Sequence, residues 1–135
     1  MSQALDDITI LDFSHLLQGP FATMLLADMC AKVIKVERAG AGEMFRSLTF
    51  NNRWLGGTES PNFVAWNRNK KSIALDLKAD EARELVHEII PKVDIVVQNF
   101  RPGVLDRLGY GYEALSAINP RLIFCWASGY GGTGP

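Results

Sequence analysis

The sequence predicts an α/β protein built on an open, mostly parallel sheet with flanking helices. Two observations carry this. Short runs rich in β-branched residues alternate along the chain with stretches of helical apolar spacing. The first two such runs are separated by one helix-length segment, and a strand–helix–strand unit strongly favours a right-handed crossover and parallel pairing. The chain has 135 residues, 47% of them apolar, enough for one domain with a real core.

Ile8 to Phe13 reads as the first strand, followed by a loop from Ser14 to Gly19. Pro20 suits a first helical turn, where its missing N–H would be unpaired anyway. Phe21, Met24, Leu25 and Met29 then fall near helical spacing. Lys32 to Glu37 is the second strand. Residues 38–66 read as irregular, long for a plain connection, which suggests a functional or partner-covered excursion. Ser72 to Leu77 is the third strand. Asp80 is placed to cap the next helix, whose apolar face is Ala82, Leu85, Val86, Ile89 and Ile90. Asp94 to Val97 and Leu122 to Ala127 make the last two strands, with short helices between them toward Leu108 and around Glu113 to Ile118. The sum is a Rossmann-like architecture.

Composition excludes several classes. A formal net charge of −1 gives no field to draw nucleic acid or anionic membrane. No apolar run approaches the roughly 20 residues that a membrane helix needs. The acidic start, Met1 to Asp7, lacks the cationic and apolar regions of a signal peptide. Cys30 and Cys125, in apolar surroundings without CxxC spacing, read as buried thiols in a reducing compartment, and the cytoplasm is the expected location. His15, His87 and the two cysteines are too scattered for a metal site.

Open parallel sheets bind ligands beyond the carboxyl ends of their strands. The residues there are Ser14 to Gly19, Arg38, Lys78, Asn99 to Arg101 and Ser128 to Tyr130. Cations, amides and glycines in that set suit a phosphate-bearing ligand, since guanidinium groups grip phosphate oxygens in fixed geometry. Glu37 imitates the ribose-binding carboxylate of a dinucleotide site, but the turn holds only Gly19 where three glycines are required. The bland reading of Glu37–Arg38 is an exposed ion pair worth ~0–1 kcal/mol. His15 is a possible base, set against a solvated or capping loop residue, and His87 reads as surface. Ser128 lacks a nucleophile elbow because Trp126 stands two positions before it. Lys70–Lys71 is either a phosphate contact or a solvated pair. Arg101-Pro102-Gly103 also reads as a plain turn, and Leu75 and Phe100 as core or crevice lining. Gly129 to Gly134 is a ligand-covering loop or merely a turn.

Several segments together resemble the opening of the class III CoA-transferases, which include formyl-CoA transferase, carnitine CoA-transferase, bile-acid-inducible transferases and alpha-methylacyl-CoA racemase. They are Ile10 to Phe13, Gly19-Pro20, Ala31 to Arg38, Asn67 to Ile73, Val97 to Gly103, Arg107 to Gly109, Asn119 to Ile123 and Ser128 to Pro135. Each is weak alone; the ordered series, spanning nearly the whole chain, is specific. The resemblance implies a coenzyme A or acyl-CoA site at Leu17, Gln18, Arg38, Leu75, Lys78, Asn99, Phe100, Arg101 and Arg107, with no metal. It implies transfer of CoA between carboxylic acids through an aspartyl covalent intermediate, and an interlocked homodimer. In the family that aspartate, and the racemases' histidine and aspartate, lie beyond the segment matching Thr133 to Pro135. Residues 1–135 are therefore expected to be the N-terminal CoA-binding part of the large domain, an incomplete version of the family's fold without its second domain or C-terminal return, and inactive alone. Three other readings stay open: a 2-methylacyl-CoA racemase of the same fold, a non-catalytic CoA-binding remnant, and an NAD-binding domain.

Overall fold

The computed structural model describes residues 3–132 and Gly134. Five strands, β1 (Thr9–Asp12), β2 (Lys32–Arg38), β3 (Lys71–Leu75), β4 (Ile95–Gln98) and β5 (Ile123–Trp126), form one parallel sheet in the order β3-β2-β1-β4-β5. Ile10 pairs with Val33 on one side and Ile95 on the other, so β1 is central. Successive side chains point to opposite faces, and both faces of β1 and β4 are buried. Ile10 and Val97 pack with Val33, Ala27 and Ala31 on one face. Leu11 and Val96 join Phe13, Val36, Val86, Ile90, Leu105, Tyr110 and Leu115 on the other.

The first face is covered by α1 (Gln18–Asp28), which begins two residues before Pro20. Its inward side is small: Gly19, Pro20, Thr23 and Ala27 are buried with Met24. The helix can thus lie close to the sheet, and Phe21, Leu25 and Met29 are left exposed on its outside. Apolar spacing located the helix but not its buried side. The opposite face is covered by α3 (Asp80–Ile89), α4 (Val104–Arg107) and α5 (Tyr112–Ile118). Ala82, Val86 and Ile90 are buried there as their spacing predicts.

The stretch expected to be irregular contains α2 (Pro61–Asn67) and two 3-10 turns, Met44–Arg46 and Phe50–Asn52. Ser60 caps α2, its hydroxyl accepting the Phe63 N–H at 3.4 Å, and Pro61 follows at the first helical position. Asp80 does not cap α3. It is the first helical residue, one position past the cap, and its carboxylate pairs with Arg83 at 2.6 Å; Ala79 holds the cap position.

Three burial expectations are corrected. Cys125 is exposed and Cys30 half-buried, because β5 is an edge strand and Cys30 turns the chain out of α1 at φ 77°. His87 is partly buried, a ring nitrogen lying 3.0 Å from the Gly109 carbonyl. Among the described residues, no helix is long and apolar enough to cross a membrane.

Candidate coenzyme-binding crevice

The site begins with a charged network beneath it. Asp12, the last residue of β1, is fully buried. Its carboxylate accepts the Ser14 N–H (2.9 Å), the Ser14 hydroxyl, the Thr23 hydroxyl (2.6 Å) and Lys70 Nζ (3.1 Å), and faces Lys35 Nζ at 3.8 Å. Burial pushes this carboxyl's pKa up, but the two ammonium groups and the Ser14 and Thr23 bonds outweigh it and hold it below its ordinary value. Lys70 is therefore neither solvated nor a phosphate contact. Its ammonium is spent on Asp12, the Pro20 carbonyl (2.9 Å) and Asn67 Oδ1 (3.0 Å), tying α2 to β1 and α1. Burial, against the pull of Asp12, lowers its pKa to about 8.

Glu37 also departs from expectation. It is 3% exposed, not a surface ion pair. Arg46 meets it bidentately, Nε at 2.6 Å and Nη2 at 2.8 Å; Ser72 donates at 2.5 Å and the Glu43 N–H at 2.8 Å. Burial raises its pKa, yet these bonds win and hold it at about 2. A carboxylate so engaged is not free for a ribose. Gly19, the one glycine of the β1–α1 turn, is packed against Ser14, which a side chain there would overlap. The dinucleotide imitation ends there.

Above the network lies a crevice of about 720 Å³ at the carboxyl ends of β1–β4. Strand order reverses between β1 and β4, and there the backbone of His15 is clamped by the side chain of Asn99: His15 N–H donates to Oδ1 (2.8 Å), and Nδ2 donates to the His15 carbonyl (2.7 Å). Phe13, Val36, Leu75, Phe100, Val104 and Leu108 supply an apolar lining. Arg38, Lys78 and Arg101 supply cations on that lining. A floor of apolar side chains among cations suits a ligand with both a flat or aliphatic body and anionic groups.

Six of the nine predicted residues, Arg38, Leu75, Lys78, Asn99, Phe100 and Arg101, line this crevice. The other three lie outside its wall. Leu17 is the cap residue of α1 and half-exposed; Gln18 donates from Nε2 to the Ala127 carbonyl (3.0 Å) at the end of β5; Arg107 ends α4, with its guanidinium over Gly103. The Ser128–Tyr130 segment is not part of the wall either, and Tyr130 is exposed. Thr133 and Pro135, the end of the last resembling segment, lie outside the described residues. Sequence reasoning missed Ala41, Gly42, Met44 and Ser47, which line the crevice from the excursion after β2. It also missed Glu43, fully buried beside them. Only the Gly40–Gly42 punctuation marked that turn. Among the described residues, no cluster of His, Cys, Asp or Glu could hold a metal ion.

The model of CoA-transferase family III matches residues 5–135. The chain is 45% identical to succinyl-CoA:glutarate CoA-transferase of Homo sapiens, over 97% of this chain and 29% of that one. It is 44% identical to acetyl-CoA:oxalate CoA-transferase of Acetobacter aceti, over 96% of this chain and 32% of that one. It superposes on a CAIB/BAIF family protein from Brucella suis with TM-score 0.90 and 38% identity, covering 100% of this chain and 36% of that one. For a hypothetical protein from Mycobacterium tuberculosis the values are TM-score 0.87, 36% identity, 99% and 36%. The chain thus spans about 30% of the length of the curated relatives it matches. With sequence and sheet in agreement from residue 5 onward, this chain belongs to CoA-transferase family III.

Proposed function

We propose that the protein moves coenzyme A from an acyl-CoA donor to a carboxylate acceptor, and that residues 1–135 supply the seat for the coenzyme as the N-terminal part of a larger catalytic domain. The observation that carries this reading is the crevice itself, with Arg38, Lys78 and Arg101 set around an apolar lining at the carboxyl ends of four parallel strands. Coenzyme A needs that combination: its phosphates require cations, and its adenine and pantetheine arm require apolar surface. The relatives named as CoA-transferases of glutarate and oxalate support the carboxylate acceptor.

The covalent step belongs to an aspartate outside residues 1–135. Its carboxylate attacks the thioester carbonyl, releasing the CoA thiolate and leaving a mixed anhydride. The thiolate then attacks the aspartyl carbonyl of the anhydride, releasing the donor acid and forming an enzyme–CoA thioester. The acceptor carboxylate attacks that thioester, releasing the CoA thiolate and forming a second mixed anhydride. The thiolate then attacks the acceptor's acyl carbonyl, giving the new acyl-CoA and freeing the aspartate carboxylate. Through these steps the present residues bind and orient the coenzyme. An interlocked homodimer completes the proposal, on the strength of the family resemblance, and the cytoplasm as its location, on the strength of two free cysteines without a disulfide. Leu17, Gln18 and Arg107 enter as contacts to parts of the coenzyme outside the crevice.

Isothermal titration of the 135-residue chain with CoA and with NAD tests the reading. CoA should bind and NAD should not, and Arg38→Ala and Arg101→Ala should each weaken CoA by roughly tenfold, the scale of one charge-assisted contact. Equal affinity for NAD, or unchanged CoA affinity in both variants, would sink it.

A further inference from the structure

We infer that His15 contacts the bound ligand directly, presenting Nε2 as a hydrogen-bond acceptor to an N–H or O–H group of the coenzyme, and that Glu43 is the positioning residue that sets its tautomer. The inference rests on the CoA reading above. His15 lines the crevice, and its side chain keeps 27% of its surface exposed. Its backbone is fixed by two hydrogen bonds to Asn99, and its ring stands edge-on to Phe100 at 5.3 Å and 85°. No protein group among the described residues hydrogen-bonds the ring. An imidazole held this firmly at a crevice wall, with its polar atoms unspent, is placed for a ligand.

The orientation comes from behind. Glu43 is fully buried; Oε1 accepts the Leu16 N–H at 2.7 Å and Oε2 the Phe45 N–H at 2.7 Å. These two bonds fix the carboxylate, and the Glu43 backbone N–H is held by Glu37 at 2.8 Å. Leu16 is in the left-handed region (φ 65°), a conformation costly for a leucine, and the Glu43 bond to its N–H steadies it. The same Oε1 lies 3.9 Å from His15 Nδ1. A carboxylate facing Nδ1 favours the proton on that nitrogen, which leaves the Nε2 lone pair free.

The charged groups around the ring are Asp12 from β1, Lys35 and Glu37 from β2, and Glu43 from the following turn; β4 contributes only neutral Asn99 and Phe100. Burial and Lys35 lower the imidazole's pKa, against the upward pull of Glu43, Asp12 and Glu37, which favours the neutral ring. A neutral acceptor does not suit a phosphate oxygen, itself an acceptor. The amide N–H and hydroxyl groups of the pantetheine arm, or the adenine amine, are its partners.

The test is NMR of the chain with 15N-labelled histidine, titrated with CoA, together with CoA affinity of His15→Ala. His15→Gln identifies the resonance against His87. The expected results are an Nδ1–H tautomer for His15, an Nε2 shift that moves on CoA addition, and about three- to tenfold weaker binding in His15→Ala. Glu43→Gln should move the His15 titration midpoint to lower pH, because the carboxylate that favours the imidazolium is gone; a merely structural residue would not do this. An Nε2 signal unmoved by bound CoA, or CoA affinity intact in a folded His15→Ala, overturns the contact while leaving the coenzyme reading standing. An unchanged midpoint in Glu43→Gln overturns the positioning role. Absence of CoA binding by the wild-type chain overturns both this inference and the function it rests on.

Discussion

Glu37 shows how far a residue's role can depart from its neighbours in sequence. Next to Arg38 it looks like half of a surface pair, yet its partner is Arg46, and Ser72 and the Glu43 backbone complete its shell. Arg46 in turn lies over the Phe63 ring at 3.7 Å, so one carboxylate joins β2, the first 3-10 turn, β3 and α2. Glu37→Gln removes the buried charge and leaves a half-exposed guanidinium that water can serve. The cost should thus be about 2–3 kcal/mol, below that of stranding a fully buried partner, read from chemical denaturation at pH 7. The pH dependence has a definite sign. The folded pKa, about 2, lies below the ordinary value of 4.5, so this stabilisation is present above pH 4.5 and is lost as pH falls through 2. Denaturation midpoints between pH 5 and pH 2 should fall more steeply in the wild type than in Glu37→Gln, and parallel curves would refute the assignment. None of these partners is legible in sequence, because Arg46 and Ser72 are brought to Glu37 by a turn and by strand pairing, not by a motif.

At the scale of elements, α1 and α2 teach opposite lessons. For α1 the apolar spacing was plain, but the residues that decide its seat are the small ones. Gly19 sits against Ser14, whose N–H and hydroxyl both bind Asp12, so Ser14 has no room to yield. Gly19→Ala should cost about 1–3 kcal/mol by overpacking and disturb the loop that carries His15, visible as a lowered Tm. For α2 the signal is local: Ser60-Pro61 is a cap followed by the residue favoured at the first helical position. Ser60→Ala should speed amide exchange through residues 61–67 and cost about 1 kcal/mol, with β4 and β5 unaffected. Gly103 is a further decision point, since it takes φ 73° at the start of α4, between Arg101 and Val104, which both line the crevice. Gly103→Ala should cost about 1 kcal/mol and weaken CoA binding, measurable by titration.

The whole molecule adds what no element holds. The crevice draws its cations from three strand ends, Arg38 after β2, Lys78 beyond β3 and Arg101 beyond β4, and parallel pairing alone places these at one edge of the sheet. The outer side of α1 carries Phe21, Leu25 and Met29, each more than 40% exposed. Surface positions lose little when changed, so Phe21→Lys with Leu25→Glu should shift stability by less than about 0.5 kcal/mol per site. The same pair should reduce binding of an apolar dye such as ANS. A large loss of stability would mean that this face packs inward in solution.

The fold class and its parallel sheet followed from sequence alone, because hydrophobic periodicity is a local property and its strand–helix–strand alternation leaves few topologies. Five crevice residues, Arg38, Lys78, Asn99, Phe100 and Arg101, followed from their places at strand ends, and Leu75 from the family resemblance, whereas Ser128–Tyr130, also at a strand end, is not in the wall. Tertiary structure alone decided the fate of Glu37 and Lys70, the burial of Glu43 and the exposure of Cys125. Those depend on which distant groups arrive within a few ångströms and on which strand has no neighbour. A charge is solvated, paired or buried according to that arrival, and spacing along the chain does not contain it.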